Sequence, residues 1–151
     1  MYRQILLAFD GSHEGRVALA EGIELAALCG AEVHLLSVME ISGSCAFGEG
    51  IYALEDVEGN EISQLSALVN EGLDQIRSHG IKQAHGHIAF GQPVEQISQM
   101  AQQISADLIV VGHRNRGLLS RWWQGSLSRQ LLDLVRCSVL VSLHPEDEKR
   151  L

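Results

Sequence analysis

The 151-residue chain lacks the features that mark several classes of protein. It has only three cysteines, Cys29, Cys45 and Cys137, an odd number with no metal-ligand spacing. Neither a disulfide framework nor a zinc motif is expected, and the thiols read as reduced ones in a cytoplasmic protein. Basic residues are few: 11 Lys and Arg face 19 Asp and Glu, for a net charge of −8. That balance argues against a surface built for nucleic acid or for a membrane. No apolar run approaches the ~18–20 residues of a membrane-crossing helix. The short apolar stretch Ile5 to Phe9 is too brief for the core of a secretory leader. Neither GxGxxG nor GxxxxGK[ST] occurs, which removes the dinucleotide fingerprint and the P-loop.

What is there is an ordinary globular composition, 46% hydrophobic and 20% charged, with a length that suits one domain. Residues 1–145 read as that domain and 146–151 as a charged tail. Ile5 to Phe9 and Leu108 to Val111 are continuous apolar runs, the pattern of strands buried on both faces. Val33 to Met39 and Ser138 to Leu143 read as strands too, and Ala84 to Phe90 as a weaker one. Between them lie helical patterns. The first is capped by Ser12, carries Leu19, Ile23 and Ala26 on one side and stops at Gly30. The second has its stripe at Ile62, Leu65, Val69, Leu73 and Ile76. The third begins near Pro93 with Val94, Ile97, Ala101 and Ile104, and the fourth follows Gly125 with Leu127, Leu131 and Leu134. Ile41 to Glu58, rich in glycine, reads as a long irregular connection. Strand and helix alternate throughout, which predicts a parallel sheet with helices on both faces and right-handed crossovers.

In such sheets ligands bind beyond the carboxyl ends of the strands. The first strand ends at Asp10-Gly11-Ser12, where Asp10 is either a turn former or a functional carboxylate. The fourth leads into Gly112-His113-Arg114-Asn115-Arg116-Gly117 and on to Gly125-Ser126-Leu127-Ser128. Gly112 to Gln130 holds four arginines and no acid, a net +4 segment in a chain of net −8. Glycines there let backbone N–H groups approach an anion. Gly125-Ser126 opens a helix, whose unpaired N–H groups and dipole favour phosphate. Ser126 and Ser128 add hydroxyls, and His113 reads as a phosphate or solvent contact. The pattern is that of a phosphate cradle.

These residues resemble the universal stress protein family, within the adenine-nucleotide α-hydrolase-like fold. That family's pattern Gly-x2-Gly-x9-Gly-[Ser/Thr] is met here by Gly112-x2-Asn115-x9-Gly125-Ser126, with asparagine at the second glycine. The opening strand with Asp10-Gly11-Ser12, the Gly91-Gln92-Pro93 turn and the stretches Asp107 to Gly112 and Cys137 to Val141 are similar as well. The resemblance implies a single-domain Rossmann-like α/β/α fold with a five-stranded parallel sheet in the order 3-2-1-4-5. It implies that Ala8, Phe9, Val38 and Val111 line an adenine slot and that Asp10, beside Gly11, contacts ribose. Gly112, His113, Asn115, Gly125, Ser126, Leu127 and Ser128 would hold ribose and phosphates. At position 115 asparagine meets a need for positive φ more readily than most residues, but its side chain enters any space required beside a phosphate.

The function so implied is adenine-nucleotide binding, ATP or AMP, in a regulatory or protective stress-response role. Mg²⁺ is expected only as the nucleotide's companion, with Asp10 or a serine nearby. No nucleophile–base pair stands out, so an efficient hydrolase is not expected. The alternatives are a nucleotide-free protein-interaction dimer and a slow adenine-nucleotide hydrolase. A homodimer through the uncharged last strand, Ser138 to Leu143, is expected. A phosphoacceptor receiver is excluded, because the third strand ends in Phe90-Gly91 without an aspartate. His85 and His87 read as surface histidines of an edge strand, no third metal ligand being visible at a sensible spacing. Trp122-Trp123 read as core or interface cover, and Cys137 as an inert thiol.

Overall fold

The computed structural model describes residues 1–39, 50–112 and 131–142. Five strands, β1 (Gln4–Ala8), β2 (Glu32–Met39), β3 (Ala84–Phe90), β4 (Leu108–Gly112) and β5 (Ser138–Ser142), form one sheet. Its order is β3-β2-β1-β4-β5 and every pairing is parallel, as expected. The apolar run of β1 occupies the centre because it must be covered on both faces. Ile5, Leu6 and Leu7 are all at most 1% exposed. Alternate residues point to opposite faces. Ile5 and Leu7 therefore join Val33, Leu35, Leu108 and Val110 on one face, while Leu6 and Ala8 join Leu36, Ile109 and Val111 on the other.

Helices α1 (His13–Cys29) and α2 (Gly50–Ser78) cover the first face through Leu19, Ile23, Ala26, Val69, Leu73 and Ile76. Helix α3 (Pro93–Gln103) covers the second through Val94, Ile97 and Ala101, beside Leu131. Both ends of α1 follow the sequence. Ser12 Oγ accepts from Gly15 N at 2.9 Å, and Gly30 closes the helix in the left-handed region at φ 63°. Two glycines that the pattern did not single out let helices settle onto the sheet. A Cβ at Gly22 would lie 2.6 Å from Leu7 Cδ2, and one at Gly72 2.5 Å from Leu35 Cδ2.

Two expectations are corrected. Residues 50–58, read as part of an irregular connection, are helical. An interior glycine such as Gly59 costs a helix only about 1 kcal/mol, too little to stop one whose later turns are anchored on the sheet. Residues 131–134 are helical as expected, but Leu134 is 54% exposed. The inward position one turn after Leu131 belongs to Val135, whose N–H bonds Leu131 O at 3.0 Å and whose side chain packs on the core. The N-terminal residues are fastened to β4's approach: Asp107 accepts from Arg3 N at 2.7 Å and Gln4 N at 3.1 Å. Among the described residues no helix is long and apolar enough to cross a membrane.

Candidate functional site

Strand β1 lies between β2 and β4. The chain leaves β1 toward one side of the sheet and later crosses to the other, so the carboxyl ends of β1 and β4 flank the switch point where α/β sheets bind ligands. Three residues shape the β1 end. Asp10 Oδ1 accepts from Ser12 N at 2.9 Å and from Ser12 Oγ at 2.5 Å. Gly11 makes the turn at φ 79°, a conformation that strains other residues. Ser12 Oγ in turn caps α1. The carboxylate is thus held by Ser12 at the N-terminus of α1.

Gly15 completes this arrangement and was not singled out from the sequence. A Cβ there would lie 2.5 Å from Asp10 Oδ1 and 3.0 Å from Ser12 Oγ. The bare backbone lets the carboxylate lie against the first turn of α1. Its signal was a glycine in a helical turn where propensity prefers almost any other residue.

Ala8, Val38 and Val111 share one face of the sheet at this end, and Gly112 closes β4 behind them. Val111 is fully buried and Ala8 6% exposed within the core of that face, while Val38 is half-buried. Phe9 is not brought to this face. Its ring belongs to the opposite core with Leu7 and Leu19, Arg16 Cζ lies 5.7 Å from its centroid, and it is 3% exposed. Its backbone is engaged as well: Phe9 N donates to Leu36 O at 2.9 Å, and Phe9 O accepts from Ser37 Oγ at 2.7 Å. Of the expected site residues, His113, Asn115, Gly125, Ser126, Leu127 and Ser128 lie outside the described residues, as do Trp122 and Trp123. Ser142, at the end of β5, donates a hydrogen bond to Glu21 Oε2 of α1, a tie that no sequence pattern suggested.

Two further groups bear on the sequence reading. The Cys137 thiol is pushed up by burial and by the nearby Asp107 carboxylate, which disfavours its reactive thiolate form. A cavity of about 450 Å³ lined by Ser98, Gln102, Leu134, Arg136 and Cys137 opens at the amino end of β5. It lies at the opposite end of the sheet from the switch point, where this fold type does not place its ligands.

Comparison with known proteins places this geometry in a context. A sequence profile described as the Universal stress protein family matches residues 1–142. A Staphylococcus aureus (strain USA300) protein bearing the universal stress protein name is 29% identical over 143 residues, covering 93% of this chain and 83% of its own. The crystal structure of a universal stress protein in complex with cAMP superposes with a TM-score of 0.68 at 19% identity, over 93% of this chain and 96% of that one. A universal stress protein family protein from Arabidopsis thaliana with AMP bound gives a TM-score of 0.68 at 17% identity, over 97% and 94%. At those identities the two structures establish a common fold.

Proposed function

Because the chain belongs to the universal stress protein family, we propose that it binds an adenine nucleotide, ATP or AMP, at the carboxyl ends of β1 and β4 and acts as a regulatory or protective module. The observation that carries this reading is the Asp10 carboxylate, held by Ser12 and packed on Gly15 beside the switch point. A carboxylate held in place in this way is an acceptor suited to a ribose hydroxyl donor. The apolar side chains of Ala8, Val38 and Val111 suit the face of a base. Gly112, Asn115 and Gly125-Ser126 would carry the phosphates in the arginine-rich segment. Related structures with cAMP and AMP support the same ligand class. Mg²⁺ would arrive with the phosphates. Asp10 Oδ1 already accepts two hydrogen bonds from Ser12, which suits an anchor for sugar more than a metal ligand.

Calorimetry of the metal-free protein with ATP, ADP and AMP tests the reading. Binding of at least one is expected, and Gly125→Val should abolish it by filling phosphate space. Absence of binding for all three at millimolar concentration overturns it.

We also propose that two copies pair through β5. Among the described residues it ends the sheet beside β4, and its Val139, Leu140 and Val141 are only half-buried. Antiparallel pairing about a two-fold axis would satisfy both edges.

A further inference from the structure

At the other end of the sheet, four ionisable side chains gather on one face of β2 and β3. Glu32 and His34 are two apart on β2, so both point to the same face. Register pairs His34 with His85 and Leu36 with His87, which brings the two β3 histidines alongside. His85 Nε2 lies 2.8 Å from Glu32 Oε1, and His34 Nε2 lies 3.6 Å from the same oxygen. The three ligand atoms all fall within 4.8 Å of one another. The sequence reading found no third ligand for His85 because the partners stand some fifty residues earlier and meet it only through the parallel register.

We propose that Glu32, His34 and His85 form a binding site for a first-row divalent cation of the Zn²⁺ type, separate from the nucleotide crevice. Tetrahedral Zn²⁺ with bonds of about 2.0–2.1 Å holds its ligand atoms roughly 3.3 Å apart. Two of the three separations, 2.8 and 3.6 Å, straddle that value, and the set as a whole spans no more than 4.8 Å, so a small side-chain movement brings the three onto one ion. Two imidazoles and one carboxylate are a fitting donor set, with the fourth position left for water.

The surrounding contacts are those such a site needs. Metal-binding histidines donate their other ring N–H to an acceptor, and ligating carboxylates are themselves hydrogen-bonded. His34 Nδ1 lies 2.9 Å from His87 Nε2, so the tautomer with hydrogen on Nδ1 leaves Nε2 free toward Glu32. Gln4 Nε2 donates to Glu32 Oε2 at 2.9 Å, holding the carboxylate with its Oε1 toward the histidines. His34 is 9% exposed, and burial together with the neighbouring imidazoles disfavours its protonated form. His85 is half exposed, which leaves a path for the ion. On binding, the metal replaces the hydrogen between His85 Nε2 and Glu32 Oε1, and His85 carries its proton on Nδ1. His34 stands two residues and Glu32 four residues before Leu36 along β2, so the site lies roughly 7–13 Å below the carboxyl end of β1.

Titration of the metal-free protein with Zn²⁺ by calorimetry, and with Co²⁺ by visible absorption, tests the proposal. One ion per chain is expected, with the absorption of a tetrahedral Co²⁺ centre. Glu32→Gln and His85→Ala should each weaken binding by at least about tenfold, and His87→Gln by about tenfold with the stoichiometry unchanged. Glu32 and His85 stand at the amino ends of β2 and β3, and circular dichroism of each variant checks that it is folded. No binding at roughly 100 µM free Zn²⁺, or binding that Glu32→Gln and His85→Ala leave unchanged, overturns the proposal.

Discussion

Gly15 separates two effects that usually run together. By helix propensity alone, Gly15→Ala should stabilise α1 by up to about 1 kcal/mol. In place, the new Cβ would stand 2.5 Å from Asp10 Oδ1 and push the carboxylate off the helix N-terminus. The expected outcome is a melting temperature that changes little and an adenine-nucleotide affinity that falls about tenfold, read by thermal denaturation and calorimetry on the same preparation. Asn115→Gly asks the complementary question of the phosphate side. If the asparagine serves only a left-handed turn, affinity should hold or tighten. If its side chain fills phosphate space, ATP should gain relative to adenosine. A large loss would show that its amide is itself a ligand. At this scale the sequence was informative where one residue type answers one local need. Asp10, Gly11 and Ser12 at a strand end, and Gly30 at a helix end, all fall where their chemistry predicts. Gly15 and the Glu21–Ser142 hydrogen bond escaped notice because each depends on a partner that only folding brings near.

Pairs of neighbouring elements set the next level. The contact of β2 with β3 makes stability depend on pH. Burial, with the other imidazoles adding to it, holds His34 and His87 below the ordinary value of 6.5. Glu32 opposes this only for His34, and Gln4 facing it is uncharged. The unfolded chain therefore takes up protons first as pH falls, so stability is full above about 6.5 and declines toward the lowered folded values. Urea midpoints measured in EDTA should drop between pH 7.5 and 5.5, and His87→Gln should flatten that slope. The junction of β1 with α1 rests on a cap, and Ser12→Ala should cost about 1 kcal/mol, read by the same urea midpoints at pH 7.5. Element type was legible because apolar runs and 3.6-residue stripes are local signals. The start of α2 was not, since glycines at 50 and 59 look like loop chemistry until the anchored turns at Val69, Leu73 and Ile76 are seen to carry the helix through. Phe9 faces the opposite core from Ala8, Val38 and Val111, a placement that the family resemblance, which names the residues together, does not express.

For the whole molecule, sheet order followed from alternation together with the family resemblance, and the structure bears it out. Assembly through β5 is the matching prediction. Wild-type protein at tens of micromolar should scatter light as a dimer, and Val141→Lys should shift it toward monomer by placing a charge on the half-buried edge. The position of β1 carries a consequence for how the chain is made. Its neighbour on one side, β2, begins at Glu32, but its neighbour on the other, β4, begins only at Leu108. During synthesis from the N-terminus, Ile5, Leu6 and Leu7 emerge before β4, and they keep one edge of unpaired backbone N–H and C=O groups open, between apolar side chains, until most of the protein has emerged. Pairings so distant in sequence also slow folding. A strand that ends up at the centre of the sheet is thus one left unpaired on the ribosome for long, and a nascent chain halted before Leu108 would present a ready surface to chaperones or to another unfinished copy.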